Sequence, residues 1–297
     1  MIKELLIKCI KRFYWAIEEK IVYISHPKPK VKNVYETIRY IIDNKCSVSR
    51  IGDGEFGIII MKKDIGFQKK NLERSKRLKE VLASKQDNLL VCITDIFNKK
   101  ELKNRTKDNK RWWKVYLNQY RKQWYKYIDF NREYGATNFT RYYITRKDKS
   151  DCADYFNKVR KIWQDEDIVI IEGEKTRSGI GNDLYDNAKS VKRILAPAEN
   201  AFDKYQKILE EANKIEPNKL ILLALGPTAT VLAYDLSRTG HRAIDVGHMD
   251  VEYEWFLHKA TDRTNLENKY VNESNDNDFS DNFHDEKYES QIIKRIL

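Results

Sequence analysis

The chain has 297 residues, of which 41% are hydrophobic and 12% aromatic, and its formal net charge at pH 7 is +11. This length and apolar content allow a full hydrophobic core, which excludes a wholly disordered protein and a small disulfide-stapled scaffold. The four cysteines lie far apart without a CxxC pair, so a cytoplasmic protein with reduced thiols is expected rather than a disulfide framework or a zinc site.

Residues 1–25 are predicted to form a basic amphipathic helix. Apolar residues recur at helical spacing, and lysines and arginines share the remaining surface. Such a helix can lie on the inner face of an anionic membrane as a peripheral attachment, bind a partner protein, or dock on its own domain. The sequence leaves these alternatives open. No apolar run reaches the roughly 20 residues of a membrane-spanning helix, and residues 1–32 are assigned to the helix and a Pro- and Lys-containing linker.

Short apolar runs then alternate with helical patterns, which predicts a Rossmann-like, doubly wound and mostly parallel α/β sheet. Two runs, IVII at 168–171 and LILLAL at 220–225, are apolar on both faces, as in strands covered by helices on both sides. Ligands of such sheets bind beyond the carboxyl ends of the strands, so motifs that follow a strand are the candidates for the site. The predicted strands are residues 47–51, 89–94, 139–145, 167–171, 191–195, 219–225 and 242–246.

The first motif, SRIGDGEFG, follows the strand at 47–51. Asp53 and Glu55 stand at i and i+2, and on an extended backbone both carboxylates would leave the same face and share a divalent cation. Gly52 lets a phosphate approach the backbone, and Arg50 could clamp a diphosphate. An ordinary Asp-Gly turn between two elements is the alternative.

Residues 97–161 contain 19 lysines and arginines against 7 acidic residues, interleaved with tryptophan and tyrosine. The segment is longer than a crossover requires and is predicted to be a largely helical insertion. Basic residues with aromatics could bind nucleic acid, an acidic glycan or a membrane, but solvated helix faces with an aromatic core side are an equally simple explanation. No nucleic-acid motif is present, so nucleic-acid binding is not expected.

Three further motifs follow later strands. EGEKTRSGIGND comes after 167–171, but its glycines stand too far from the strand for a dinucleotide fingerprint. LGPTAT, after 219–225, offers an anion the start of a helix at Gly226 and the hydroxyls of Thr228 and Thr230, although an ordinary helix cap has the same pattern. DVGHMDVEYEW, after 242–246, gathers a histidine and several acids. One histidine is thin support for zinc, and a structural histidine beside a carboxylate is the alternative.

Five segments in this order, SRIGDGEF, EGEKTRSGIGNDL, RILAPAENAFDKY, LGPTATVLAYDL and GHMDVEYEWF, resemble the GT-D-fold glycosyltransferases. Those enzymes build glycans on bacterial serine-rich adhesins and related surface polymers. The resemblance covers about residues 33–260. It implies one Rossmann-like domain, a UDP-sugar donor, usually UDP-glucose, and a Mn²⁺ or Mg²⁺ ion on an Asp-x-Glu motif that falls on Asp53 and Glu55.

With that resemblance, the remaining candidates take roles at the carboxyl edge of the sheet. Donor contacts are expected from Arg50, Gly52, Glu172, Arg177, Asn200, Gly226, Thr228 and Thr230. A general base for the acceptor hydroxyl is expected among His248, Asp250 and Glu252. If a helix begins directly after the last strand, Glu252 with His248 near it is the favoured pair.

The predicted organisation is a glycosyltransferase domain at 33–273, with the insertion at 97–161, followed by a polar tail at 274–297. Residues 272–282, around the start of the tail, are predicted to be loop or partly disordered. The predicted reaction moves a hexose, with glucose favoured, from a UDP-sugar to a hydroxyl of a glycan or glycoprotein acceptor. A non-catalytic, glycosyltransferase-like binding subunit of a surface-glycan complex is the alternative.

Overall fold

A computed structural model of the chain describes residues 2–25, 28–61, 71–266, 269–271 and 284–297. Its centre is a nine-stranded sheet in the order β1-β4-β3-β2-β8-β7-β5-β6-β9, in which every pair of neighbouring strands is parallel. The strands are β1 (Lys30–Val31), β2 (Ser47–Ile51), β3 (Leu89–Ile93), β4 (Glu133–Ala136), β5 (Asp167–Gly173), β6 (Ser190–Ala196), β7 (Leu220–Ala224), β8 (Arg242–Asp245) and β9 (Ile292–Arg295).

Helices cover both faces of the sheet, which explains why the central strands are apolar on both sides. Every residue of β3 and β7 is buried. The helices are α1 (Ile2–Ser25), α2 (Val34–Asn44), α3 (Asp53–Ile59), α4 (Leu72–Ala83), α5 (Lys99–Lys103), α6 (Lys107–Trp124), α7 (Cys152–Arg160), α8 (Tyr205–Ala212), α9 (Pro227–Arg238), α10 (Met249–Leu257) and α11 (Glu286–Gln291). The predicted doubly wound, mostly parallel α/β fold is confirmed.

The two core layers meet the sheet from opposite sides. Apolar residues of α3, α4, α6, α8 and α9 form one cluster, and those of α2, α7 and α10 form the other. Neighbouring strands β2 and β8 therefore lead into helices on opposite faces, α3 and α10. Such a divergence opens a crevice at the carboxyl edge, where ligands of doubly wound sheets bind.

The strand predicted at 139–145 is absent. Residues 137–140 form a 3-10 helix, and the strand is the preceding β4, in which Gly135 packs closely on β3. A Cβ at Gly135 would lie 2.9 Å from Leu90 Cδ2. The aromatic and β-branched residues that suggested a strand are nevertheless buried, because Tyr142, Tyr143 and Ile144 pack into the second core cluster as a loop.

The segment at 97–161 contains α5, α6 and α7, as predicted for a helical insertion, but also β4, so it is part of the sheet. In α6 the aromatic side chains Trp113, Tyr116, Tyr120 and Trp124 are buried, while Trp112 is 48% exposed. Their burial shows that most of these aromatics serve the core.

Helix α1 packs against α6, and Lys122 of α6 pairs with Glu18 at 3.0 Å. Within the described residues, no helix is long and apolar enough to cross a membrane. At the other end of the chain, residues assigned to a polar tail form α11 and the edge strand β9, which pairs with β6. The loop prediction for 272–282 lies outside the described residues, and the domain boundary at 273 stays a prediction.

Candidate active site

Asp53 and Glu55 lie in the first turn of α3, directly after β2. Gly52 precedes the helix, and its backbone N–H donates to Glu55 Oε2 at 2.9 Å. The Asp53 side chain is exposed and the Glu55 side chain half-buried. The extended backbone expected for this pair is wrong, because both residues are helical. Residues two apart on a helix point in different directions, so the two carboxylates do not share a face in the way that a strand would give. The first turn of a helix that starts at the crevice is what places both carboxyls there.

The chemistry of this pair fits a hard divalent cation shared with a diphosphate. Mg²⁺ and similar ions are commonly held by one or two carboxylates, with water and substrate phosphates completing the coordination. Among the described residues, no group of three or more His, Cys, Asp or Glu side chains could hold a metal ion. The donor set therefore suits an ion that arrives with the substrate phosphates better than one held in an all-protein cage.

Arg50 is tied to the end of β8. Its Nη2 donates to Asp245 Oδ1 at 2.8 Å, its Nε to the Asp245 backbone carbonyl at 3.0 Å and its Nη1 to Thr140 Oγ1 at 2.7 Å. Asp245 is 1% exposed, and burial raises the pKa of its carboxyl, with Arg50 opposing that rise. Burial likewise raises the pKa of the Glu55 carboxyl. Arg50 thus joins the two strands that border the crevice, while its role as a diphosphate clamp stays a prediction.

Gly247 lets the Arg50 guanidinium lie against the backbone after β8. Its φ is +49°, and a Cβ there would lie 2.6 Å from Arg50 Cζ. His248 follows, half-buried, as the residue that precedes α10. The helix predicted to begin directly after the last strand is confirmed.

The start of α9 brings Gly226, Thr228 and Thr230 beside β2. Thr230 Oγ1 lies 2.9 Å from the Arg50 carbonyl and 3.1 Å from Asp245 Oδ2, so this hydroxyl belongs to the Arg50–Asp245 network. Thr228 is different, because its buried hydroxyl has no hydrogen-bond partner among the described residues. Gly226 has a φ of +55°, which favours glycine at the residue before the helix.

Glu252, expected to act as the base, lies in the first turn of α10 with its side chain buried. It is 1% exposed, and its Oε2 accepts the backbone N–H groups of Tyr143 at 2.7 Å and Ile144 at 2.9 Å. These bonds satisfy the buried backbone of the loop that replaced the predicted strand. A carboxylate held in this way positions a loop, and its role as the base stays a prediction. Of the three predicted base residues, His248 is the one that is not fully buried.

Asp250 is also committed to internal bonds. Its Oδ1 accepts from the Gly179 N–H and from Asn182 Nδ2, both at 2.8 Å, and its Oδ2 accepts from Lys269 Nζ at 2.7 Å. Lys269 also reaches Glu254 Oε1 at 2.8 Å. This buried network fastens the loop after β5 to α10, so it shapes one wall of the carboxyl edge.

Glu172, at the end of β5, is fully buried. It pairs with Arg193 Nη1 at 2.6 Å and accepts the Ser178 N–H at 2.7 Å. Arg177 and Asn200 both have positive φ, at +47° and +49°, in loops that follow β5 and β6. The structure thus sets these residues two and three strands from β8, and Glu172 acts there as a structural ion pair.

Several residues of these networks were not predicted, namely Thr140, Asn182, Arg193, Asp245 and Lys269. A signal existed for Asp245, an acid between Ile244 and Val246 at the end of the strand predicted at 242–246, whereas Arg193 lies beside Lys192 and does not stand out. Thr140, Asn182 and Lys269 carry no such signal, since only the folded loops bring them to their partners.

Comparisons with known proteins identify the family of the chain. Residues 48–274 match the family model described as glycosyltransferase GT-D fold. A probable glycosyl transferase from Streptococcus gordonii is 38% identical over 269 residues, covering 90% of this chain and 39% of its own. Glycosyltransferase GlyD of Streptococcus pneumoniae is 36% identical over 275 residues, covering 90% of this chain and 33% of its own. The chain therefore spans little more than a third of these relatives.

Solved structures match more completely. One, described as a domain of unknown function 1792 with a distinct glycosyltransferase fold, has a TM-score of 0.88 at 36% identity and covers 95% of this chain and 100% of its own. Another, described as a new glycosyltransferase from Streptococcus sanguinis, has a TM-score of 0.84 at 36% identity, with coverage of 91% and 100%.

Proposed function

The chain belongs to the GT-D-fold family of glycosyltransferases, and from that membership we propose that it transfers a hexose, in the first place glucose, from a UDP-sugar to a hydroxyl of a glycan or glycoprotein acceptor. We propose further that a Mn²⁺ or Mg²⁺ ion, bound by Asp53 and Glu55, assists the reaction. The observation that carries the proposal is the position of these two acids, in the first turn of the helix that borders the crevice between β2 and β8.

The metal would supply positive charge where the departing diphosphate develops negative charge. The chain adds two helix starts at the same edge, those of α3 and α9, where the positive end of the helix dipole favours phosphate. The Thr228 hydroxyl supports a donor contact at α9, because a buried hydroxyl without a partner is costly unless a ligand satisfies it.

Arg50 and Asp245 keep the crevice in shape. Their bonds span the ends of β2 and β8, which fixes the distance between the start of α3 and the start of α10. A preorganised site costs less rearrangement when the donor binds.

For the base we propose His248 in place of Glu252. It lies at the start of α10, beside the crevice, and histidine is the side chain that most often serves as a general base. If the reaction inverts the sugar, this group would receive the proton of the acceptor hydroxyl. The structure supports the choice through the partial exposure of His248 and the burial of Glu252 and Asp250.

A screen of UDP-sugars tests the function. UDP release would be measured with each sugar in the presence of Mn²⁺, Mg²⁺ or EDTA, for the natural chain, Asp53→Ala and Asp87→Ala. Asp87 is an exposed acid before β3, at the opposite edge of the sheet, and serves as the matched control. We expect metal-dependent release with the natural chain and Asp87→Ala, and none above background with Asp53→Ala.

Release that is unaffected by EDTA would contradict the role of the metal. UDP binding without release from any sugar, with or without acceptors, would instead identify a non-catalytic binding subunit.

A further inference from the structure

Helix α1 presents an apolar stripe to solvent. Six large side chains lie along one side of the helix, each between 45% and 82% exposed. They are Leu6, Ile10, Phe13, Ile17, Ile21 and Ile24. The side of α1 that faces the domain is a different one, where Val22 is buried and Trp15, Ala16 and Glu18 are half-buried. The contact with α6 therefore leaves the apolar stripe uncovered.

The spacing of the stripe fits a flat surface. Its residues are separated by 4, 3, 4, 4 and 3 positions, which is 18 residues in five turns and equals the 3.6-residue period of a straight helix. A two-stranded coiled coil needs a 3.5-residue repeat instead. In that repeat Lys20 would take the place that follows Ile17 in the seam. The pattern thus disfavours a second copy of the helix as the occupant.

The charges beside the stripe favour an anionic surface. Lys3 and Lys20 are exposed at its borders, near the two ends of the helix. Glu18 is neutralised by Lys122 of α6. Helix α6 adds exposed basic residues and the partly exposed Trp112, a residue type that suits the boundary between water and lipid. Apart from Lys122, the exposed basic residues of α6 are Lys107, Arg111 and Lys114.

We propose that α1 lies in the surface of an anionic membrane, with the stripe facing the lipid and the basic side chains at the headgroups. The helix does not span the bilayer, since no described helix is apolar and long enough for that. The attachment is separate from sugar transfer, because α1 has its main contact with α6, whereas the proposed donor site lies at the ends of β2 and β8.

Co-sedimentation of the full chain with vesicles tests the proposal. The vesicles contain either phosphatidylcholine alone or phosphatidylcholine with about a quarter phosphatidylglycerol. We expect the natural chain to bind the anionic vesicles, and to bind them less at high salt. The double variant Phe13→Ser/Ile17→Ser should lose at least about tenfold in partitioning, because two large apolar side chains no longer enter the lipid. Leu72→Ser, which alters a 74% exposed leucine on α4, is the matched control and should bind like the natural chain.

Sedimentation velocity completes the test without vesicles. A natural chain that is self-associated, becomes monomeric in Phe13→Ser/Ile17→Ser and fails to bind vesicles would show that the stripe is an interface between copies, which overturns the proposal. Vesicle binding that survives the double substitution would also overturn it. Unchanged UDP binding by the variant verifies that the domain remains folded.

Discussion

At the scale of single residues, the site depends on one buried ion pair. Arg50 and Asp245 are joined by a side-chain and a backbone contact, and Thr140 and Thr230 satisfy further atoms of the pair. Removing one member of such a pair leaves a buried charge uncompensated. Gly247 belongs to the same unit, because the guanidinium occupies the space that a side chain at 247 would need.

Gly247→Ala should therefore destabilise the protein by about 2 kcal/mol or more, combining the strain of a positive φ with displacement of Arg50. Gly240→Ala separates the two effects, since Gly240 also has a positive φ, +87°, but a Cβ at this position would meet no described atom within 4 Å beyond its chain neighbours. Urea unfolding should show the smaller loss, about 1 kcal/mol, for Gly240→Ala. Equal losses would mean that Arg50 does not depend on Gly247.

Variants of Glu252 distinguish a structural role, in which this residue holds a loop, from a catalytic role as the base. Glu252→Ala should lower the free energy of unfolding by about 1–3 kcal/mol for each of the two backbone N–H groups that it leaves without an acceptor. Glu252→Gln keeps an oxygen for both donors and should unfold nearly like the natural chain, with sugar transfer reduced less than about tenfold. A Gln variant that is stable but loses about a hundredfold or more in transfer would restore Glu252 as the base.

At the scale of elements, helix starts decide what lies at the crevice. The sequence predicted a motif after β2, after β7 and after β8, and the structure begins α3, α9 and α10 at those places. The side-chain directions were less predictable. Asp53 and Glu55 were predicted on an extended backbone because nothing in DGEF shows that a helix begins at Asp53. Glu252 was predicted to be the base because the sequence does not reveal its partners, two backbone N–H groups of a loop more than a hundred residues away.

Two threonines of α9 allow a paired test of the donor site. Thr228→Val removes a buried hydroxyl that has no partner among the described residues, so the free energy of unfolding should rise, by up to about 1–3 kcal/mol. Thr230→Val breaks contacts with Arg50 and Asp245 and should cost about 1–3 kcal/mol.

The affinity for UDP separates the same two variants in a second way. If Thr228 donates to a donor phosphate, Thr228→Val should weaken UDP binding by about tenfold or more, as measured by calorimetry. Unchanged affinity for UDP would remove Thr228 from the donor site.

At the scale of the whole molecule, the fold class was predictable because two central strands are apolar on both faces, as only a covered parallel sheet requires. The edges were not predictable. Strand β1 is two residues long, and β9 is a short segment, IIKR, without alternation of apolar and polar residues, so only its pairing with β6 identifies it as a strand. The segment 139–145 was wrongly predicted as a strand for the opposite reason, because its apolar residues are buried as part of a loop that Glu252 anchors.

The burial of three cysteines gives a prediction about the intact fold. Cys9 is exposed on α1, whereas burial raises the pKa of the Cys46 and Cys152 thiols to about 11 and that of Cys92 still further. A thiol reagent at neutral pH should modify one cysteine quickly and the others about a hundredfold more slowly, because only the thiolate reacts. Cys9→Ser should abolish the fast phase. Two or more fast thiols in the natural chain would contradict the packing of the core.

The central claim is that Asp53 and Glu55 bind a divalent ion together with the donor diphosphate, and calorimetric titration of UDP in the presence of Mn²⁺ tests it most directly. The natural chain should bind UDP at least about tenfold more tightly with Mn²⁺ than with EDTA. Asp53→Asn should lose that difference while unfolding at the same urea concentration, since the exposed Asp53 side chain contributes little to packing. If Asp53→Asn binds UDP in Mn²⁺ as tightly as the natural chain does, the metal site does not lie at the start of α3.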